Sequence, residues 1–172
     1  MDAFEAGTRF FLGPDYDGHL DDSAPGEAFS TKFGVTEMTY AGALADGVVG
    51  KPWYQVQTVA DVLPIYQTDF YDMNRCGEMP PCVGMVVYVD STLMGLHEPA
   101  ANLQKTLGVK QDGRIGPITL AALVRANCRS IAAQVEALDL KYLQGLPKWS
   151  LYKNGWTHRE QNLLVEALKL EG

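Results

Sequence analysis

The chain has 172 residues, of which 47% are hydrophobic and 20% are charged, and it carries a formal net charge of -7 at pH 7. This composition argues against extended disorder, and a chain of this length can bury ~70% of the surface that its unfolded form exposes. The negative charge argues against a general electrostatic grip on nucleic acid or on an anionic membrane surface. We therefore expect a folded protein that does not bind nucleic acid.

The sequence predicts no stable membrane insertion. The longest apolar run covers residues 83–89 and is far shorter than a bilayer span. The first residues lack the charged segment and the following apolar segment of a signal peptide. We therefore expect a protein that is made in the cytoplasm.

The chain holds three cysteines and three histidines. A small and odd number of cysteines argues against a disulfide framework. Cys76 and Cys82 could pair across the turn between them, although two reduced thiols are the simpler interpretation. Because neither residue type clusters at a zinc-ligand spacing, the sequence predicts no catalytic metal, and we expect no cofactor.

The first predicted element is a short amphipathic helix at residues 2–12, which Gly13 and Pro14 would end because proline cannot continue the backbone hydrogen bonds. Residues 15–31 follow as a polar segment with five acidic side chains, and glycine and proline break it too often for a core element. Loops of this chemistry often carry function.

Helices are predicted for most of the remaining chain. A second helix starts at Thr36, a suitable N-cap, and ends at Asp46 and Gly47, and a further helical stripe covers residues 65–73. Residues 83–89 have the β-branched content of a strand but the length and context of a buried helix, and we interpret them as helix. Apolar residues at three- and four-residue spacing predict helices within 103–168. The predicted fold class is mainly α, with at most a small β-hairpin in the acidic segment.

Four segments, read in chain order, form a series of short motifs along the chain. The first comprises the acidic stretch 15–22, Pro25-Gly26 and the run Thr31-Lys32-Phe33-Gly34-Val35-Thr36. The second is the stretch 65–72 with the turn 76–80, and the third is Val89-Asp90. The fourth comprises Leu103-Gln104, Leu107-Gly108-Val109, Asp112-Gly113-x-Ile115-Gly116-Pro117-x-Thr119, and Gly155-Trp156 with Arg159. In this order the four segments resemble glycoside hydrolase family 108, the N-acetylmuramidases found among phage endolysins and secretion-associated lysins. The resemblance runs from about residue 4 to about residue 168.

This resemblance implies a lysozyme-like helical fold, with a catalytic lobe at residues 1–96 and a helical peptidoglycan-binding lobe at residues 97–172 packed on it. It implies a muramidase that cleaves the β-1,4 bond between N-acetylmuramic acid and N-acetylglucosamine by carboxylic general-acid catalysis. The expected partner is the glycan strand of peptidoglycan, and the expected protein is a monomer. It would act in the periplasm or cell wall after release, or as part of a virion or a secretion system.

The family's general acid is the glutamate of a Glu-Gly-Gly turn, and this chain has no glutamate there. An ungapped alignment back from Pro25-Gly26 places Asp15 on that glutamate, whereas matching the acid-glycine pair places Asp17 there. We favour Asp17 because Gly18 follows it and a glycine permits the backbone geometry of the motif. Either aspartate is one methylene shorter than glutamate, so the activity could be weak or absent.

Further candidate site residues lie near these aspartates and in the second segment. Thr31 could hold the attacking water, as a hydroxyl does in several lysozyme-like sites. Asp21, Asp22 and Glu27 are nearby candidates for the second carboxylate, which the family pattern does not fix. Asp22 and Glu27 are also candidates for substrate binding, and Tyr71 is a candidate for sugar stacking. If hydrolysis has been lost with the glutamate, the alternative function is a peptidoglycan-binding or assembly protein with the same fold. A helical adaptor that binds another protein through its acidic face is a third hypothesis.

Overall fold

The computed structural model describes residues 1–13 and 30–171. Over these ranges the chain is mainly helical, with one two-stranded antiparallel sheet. The hairpin consists of β1 at Thr31–Lys32 and β2 at Val35–Thr36. The α-helices are α1 Ala3–Leu12, α2 Glu37–Ala45, α3 Leu63–Ile65, α4 Pro81–Met94, α5 His97–Thr106, α6 Pro117–Val124, α7 Cys128–Gln144 and α8 Trp149–Lys169. The prediction of a mainly α fold with a small hairpin is confirmed.

Short irregular helices connect several of these elements. A π-helix at Tyr66–Asp72 follows α3 directly, and 3₁₀ turns lie at Trp53–Gln55, Val59–Asp61 and Cys76–Glu78. The helical stripe predicted for residues 65–73 is therefore present, but most of it is π-helix, which the apolar spacing does not distinguish from α-helix. In the described part of the chain, no helix combines the length and the apolar character needed to cross a membrane.

The chain divides into two compact units, Thr8–Asp69 and Met1–Gly7 with Phe70–Gly172. We call the first the hairpin unit and the second the helical unit. Within the helical unit α4 packs against α5, α7 and α8. The predicted division into a catalytic lobe at 1–96 and a peptidoglycan-binding lobe at 97–172 is a division by function, and it stays a prediction.

The capping chemistry of α2 explains where this helix begins and ends. Thr36 has an extended backbone, and its hydroxyl accepts a hydrogen bond from the Thr39 N–H at 3.2 Å, which satisfies one of the free donors of the first turn. Gly47 lies just beyond the C-terminal end with a φ of 74°, a conformation that favours glycine. Both predicted ends of this helix are therefore confirmed.

Helix α4 forms the centre of the helical unit. Its residues from Cys82 to Ser91 are all buried. A helix that is covered on every side needs no polar stripe, and this explains why residues 83–89 show the continuous apolar pattern that a buried strand would also show. The interpretation of this run as helix is confirmed.

Candidate active site

The predicted catalytic and binding residues divide into two groups. Asp15, Asp17, Asp22 and Glu27 lie outside the described residues. Thr31 lies in the hairpin unit and Tyr71 in the helical unit. The geometry of the hairpin around Thr31 is therefore the part of the predicted site that the structure describes.

The hairpin turn at Phe33 and Gly34 is unusual in its backbone. In the ladder Thr31 pairs with Thr36 and Lys32 with Val35, which leaves two residues in the turn. Phe33 has a φ of 50° and Gly34 a φ of 76°, as expected for a type I′ turn. A positive φ is unfavourable for a phenylalanine, and the burial of its ring, which is 6% exposed, offsets this cost.

Tyr66, the first residue of the π-helix, fixes this turn from the side. Its hydroxyl donates a hydrogen bond to the Phe33 carbonyl at 2.7 Å, and its ring lies 4.9 Å from that of Phe11. Burial raises the pKa of Tyr66, which keeps the phenol protonated as a donor. A Cβ atom on Gly34 would lie only 2.6 Å from the Tyr66 oxygen, so the turn needs glycine for space as well as for its backbone angle.

Thr31 carries the most informative polar atom of the hairpin. Its Oγ1 is buried and has no hydrogen-bond partner among the described residues. A buried polar group without a partner costs about 1–3 kcal/mol, so such a group in a folded protein calls for an explanation such as a bound water or ligand. The position next to the acidic segment makes Thr31 Oγ1 a site where a small polar molecule could bind.

Lys32 and Trp53 fix the other side of the hairpin, and the sequence analysis did not single out Lys32. Its ammonium group donates to the carbonyls of Trp53 at 3.1 Å and Val56 at 3.0 Å, and it lies 5.1 Å from the centre of the Trp53 ring. The Trp53 indole N–H donates to Ser30 Oγ at 3.1 Å. These contacts hold the residues on both sides of Thr31 in place.

Tyr71 has a different environment from the one expected of a groove residue. Its side chain is buried in the helical unit, and its ring packs edge-on against Phe4 at 5.3 Å and Tyr88 at 5.4 Å. Burial is also the main reason that its pKa is raised to about 12. In this arrangement Tyr71 is a buried residue of an aromatic cluster in the helical unit.

The loop of the fourth motif is organised by one buried side chain, Gln104. Its amide nitrogen donates to Asp112 Oδ1 at 2.8 Å and to the Arg114 carbonyl at 2.9 Å, and its oxygen accepts the Gly113 N–H at 2.9 Å. Gly113 has a φ of 68°. A pocket of about 140 Å³ lies beside this loop, and its lining includes Gln104, Val109, Lys110, Asp112, Pro117 and Thr119. The motif thus builds a rigid loop and a concave surface together.

The helical unit also contains a cluster of three carboxyl groups without solvent exposure: Asp90 on α4, Asp139 on α7 and Glu160 on α8. Arg159 donates to Asp90 at 3.0 Å and to Glu160 at 2.6 Å, and Asn102 donates to Asp139 at 2.7 Å. We call these three acids the carboxyl cluster. The sequence analysis named Asp90 and Arg159 but missed the other two acids.

Proton sharing explains how three buried acids coexist with one arginine. One oxygen of each acid receives no N–H or hydroxyl hydrogen bond from the described residues. A proton held by one acid can satisfy these oxygens, because Asp90 lies close enough to Asp139 and Glu160 to interact with both. Burial raises the pKa of Asp139 to about 7 and that of Glu160 to about 8, and it raises the pKa of Asp90 well above its ordinary range. The cluster therefore holds protons at neutral pH, and it connects three helices rather than forming an open site.

The mainly helical fold and the short hairpin of the described residues are consistent with the lysozyme-like class that the motifs predicted. Within this class, residues 15–95 match the family Glycosyl hydrolase 108, so the family resemblance that the motifs predicted is confirmed. The match covers the acidic segment, the hairpin and α4. The fourth motif lies outside the matched residues, and its peptidoglycan-binding role stays a prediction.

The structure is also similar to that of SagA from Brucella abortus. The two chains superpose with a TM-score of 0.81 at 26% sequence identity, and the alignment covers 98% of this chain and 94% of SagA. No curated protein matches the sequence. The similarity to SagA thus extends over nearly the whole chain, beyond the part that matches the family.

Proposed function

We propose that this protein is a peptidoglycan hydrolase, a muramidase that cleaves the β-1,4 bond between N-acetylmuramic acid and N-acetylglucosamine. The observation that carries the proposal is the match of residues 15–95 to a glycosyl hydrolase family. This match includes the acidic segment, which offers the carboxyl groups that glycosidic bond cleavage requires. The substrate would be the glycan strand of the cell wall, reached by release from the cytoplasm or as part of a virion or a secretion system.

The proposed general acid is Asp17, with Asp15 as the alternative. Its carboxyl group would protonate the glycosidic oxygen as the bond to the sugar breaks, while a positive charge develops on the sugar ring. Asp22 or Glu27 would supply the second carboxylate, which stabilises that charge or activates water. The shorter aspartate must approach the substrate more closely than a glutamate would, so we expect a low rate.

Thr31 would position the attacking water. Its Oγ1 is buried, has no partner within the described ranges and can both donate and accept a hydrogen bond. The rigid turn at Phe33 and Gly34, together with the Lys32 contacts to Trp53 and Val56, would keep this hydroxyl at a fixed place during the reaction. A preorganised hydroxyl of this kind orients water without a reorganisation cost.

A second candidate function, binding of peptidoglycan without hydrolysis, is favoured by an aromatic face on α8. Tyr152 and Trp156 stack with ring centres 5.4 Å apart, and Trp149 lies 6.2 Å from Trp156. Tyr152 is exposed, and the two tryptophans are half-buried. Aligned, accessible aromatic rings can stack on sugar rings, so this face could hold a glycan strand whether or not the bond is cleaved.

The two functions are separated by one experiment on purified sacculi. The muramidase predicts release of reducing sugars by the wild type, and loss of this release in a variant that carries both Asp15→Asn and Asp17→Asn. Sacculus binding without any release of sugar would instead establish the binding function. In that case Asp17→Glu, which restores the side-chain length of the family's acid, should confer activity if the rest of the groove is intact.

A further inference from the structure

Three metal-binding side chains from distant parts of the sequence converge in the helical unit. Cys82 is the second residue of α4, Cys128 is the first residue of α7, and Glu171 follows the end of α8. The sulfur atoms and a carboxylate oxygen of these residues all lie within 4.8 Å of one another. The hydrolase proposal uses none of the three.

Glu171 already contacts both cysteines. One carboxylate oxygen accepts the Cys82 backbone N–H at 3.2 Å, and the other accepts the Cys128 thiol at 3.1 Å. Cys82 is fully buried, whereas Cys128 and Glu171 are half-buried. The three groups thus lie at the edge of the helical unit, with one side open to solvent.

We propose that Cys82, Cys128 and Glu171 form a site for a divalent transition metal, with zinc as the preferred ion and water at the fourth position. Two thiolates and a carboxylate are a ligand set that suits zinc, which takes sulfur and oxygen ligands in tetrahedral geometry. Binding would release the two thiol protons to solvent, since only thiolates coordinate the ion.

The distances fit this coordination with a small movement. In a tetrahedral site with Zn–S bonds of about 2.3 Å, two sulfur ligands lie about 3.8 Å apart. A sulfur and a carboxylate oxygen lie about 3.5 Å apart in such a site, so the present separations of up to 4.8 Å would have to shorten by about 1.3 Å at most. Side-chain rotation at Cys128 and Glu171 can supply this change because neither side chain is fully enclosed.

The electrostatic surroundings favour a bound cation over free thiolates. Burial and the neighbouring Glu171 and Cys128 raise the pKa of Cys82, so this thiol stays protonated until a cation binds. A divalent cation reverses this balance, and both cysteines lie in the first turn of a helix, where backbone N–H groups stabilise a thiolate. Two thiolates, one carboxylate and one divalent cation leave a net charge of -1. The hydrogen bond from Cys128 is the main reason that the pKa of Glu171 is lowered, and the nearby Arg129 guanidinium lowers it further. The positive charge of Arg129 also offsets the remaining charge of the metal site.

The test uses the full chain, reduced and freed of metal with a chelator, then titrated with Co²⁺ as a spectroscopic substitute for Zn²⁺. We expect a thiolate-to-cobalt charge-transfer band and tetrahedral ligand-field bands that saturate at one equivalent and disappear when Zn²⁺ is added. Zn²⁺ should also raise the melting temperature, because the ion would join α4, α7 and the segment after α8.

Variants assign the ligands. Cys82→Ser and Cys128→Ser should each abolish the charge-transfer band and the thermal shift, and Glu171→Gln should weaken Co²⁺ binding by about tenfold or more. Cys76→Ser is the matched control, since Cys76 is buried in the same unit but lies outside the cluster, and it should bind cobalt like the wild type. Circular dichroism of each variant shows whether the fold is retained.

Two outcomes would overturn the proposal. The first is a reduced, folded wild type that gives no cobalt bands. The second is a band that survives in both Cys82→Ser and Cys128→Ser. Thiol counting after unfolding detects the competing chemistry, a Cys82–Cys128 disulfide formed by oxygen. If that disulfide forms and the reduced protein binds no metal, the pair is a redox-active cysteine pair instead.

Discussion

Arg159 donates a hydrogen bond from Nη1 to the carboxyl group of Asp90 at 3.0 Å, and Asp90 has no solvent exposure. The second guanidinium nitrogen donates to the Val89 carbonyl at 2.8 Å, so one side chain of α8 contacts both the backbone and the buried acid of α4. Because Glu160 and Asp139 complete the carboxyl cluster, the helical unit buries more acidic groups than one arginine can neutralise. The protonation of this cluster should therefore control the stability of the helical unit.

The carboxyl cluster predicts a stability that falls as the pH rises through neutrality. Burial raises the pKa of Asp139 to about 7 and that of Glu160 to about 8, so the folded protein holds protons that the unfolded chain releases. A raised pKa contributes stability that is complete below the unfolded value, about 4, and is lost as the pH rises to the folded value. We expect the free energy of unfolding, measured in urea, to decrease from about pH 4 to about pH 8.

Asp139→Asn should make this pH dependence shallower, because an amide oxygen can still accept the Asn102 hydrogen bond but carries no proton to lose. Glu166→Gln, an exposed position on α8, is the control and should leave the pH profile unchanged. A free energy of unfolding that is constant over this range in the wild type would contradict the proton-sharing arrangement.

Removal of the Arg159 guanidinium should destabilise the protein strongly. Arg159→Ala leaves two buried acids and the Val89 carbonyl without their donor, and loss of one partner of a buried ion pair typically costs about 3–5 kcal/mol. Chemical denaturation at neutral pH measures this loss. Arg159→Lys should recover part of the stability, since lysine restores the charge but lacks the second nitrogen that donates to the Val89 carbonyl. A loss below about 1 kcal/mol would mean that protonation alone neutralises the carboxyl cluster when Arg159 is absent.

The hairpin turn offers a comparison between two glycines. Gly34→Ala should cost about 1–3 kcal/mol, because the residue has a φ of 76° and its Cβ would lie 2.6 Å from the Tyr66 hydroxyl oxygen. Gly42→Ala, in α2, meets open space and should stabilise the helix by about 0.5–1 kcal/mol. Urea unfolding of the two variants is the measurement, and equal effects would argue against the turn geometry.

Tyr66→Phe separates the two contributions at this turn. The change removes the oxygen that would collide with a side chain at position 34, so Gly34→Ala should cost less in the Tyr66→Phe background than in the wild type. The remaining cost in that background reports the backbone angle alone. Additive effects of the two changes would show that the phenol and the turn do not interact.

Substitutions of Thr31 should affect the activity and the stability of the protein in different ways. Thr31→Val keeps the shape but removes a buried hydroxyl that has no partner in the described part of the chain, so the stability should stay unchanged or rise. If the hydroxyl positions the attacking water, release of reducing sugars should fall by about 10–100-fold. Thr31→Ser retains the hydroxyl and should keep most of the activity. A Thr31→Val variant with full activity would remove Thr31 from the mechanism.

The elements that could be predicted from sequence are those whose signals are local. Thr36 and Gly47 mark the ends of α2 because capping depends on neighbouring residues, and the apolar run within α4 is long enough to identify a buried element. The π-helix at Tyr66–Asp72 was not predicted, since its apolar spacing resembles that of an α-helix. The family resemblance came from short motifs, and the match over residues 15–95 confirms it.

The carboxyl cluster shows why the other buried groups were missed. Its members Asp90, Asp139 and Glu160 are far apart in sequence, and only the packing of α4, α7 and α8 brings them together. One signal was nevertheless present. Asp139 lies four residues from both Val135 and Leu143 on the buried face of α7, where an acidic side chain needs a partner. The convergence of Cys82, Cys128 and Glu171 gave no comparable local signal.

The loop around Gln104 has a consequence for how this sequence can change during evolution. A Cβ atom on Gly113 would overlap the His97 imidazole, and the Gly113 N–H donates to the Gln104 amide oxygen. A side chain at position 113 would therefore displace His97, whereas loss of Gln104 would leave the Gly113 N–H without this acceptor. In related proteins that keep this loop, we expect a residue other than glycine at position 113 only where position 97 carries a smaller side chain.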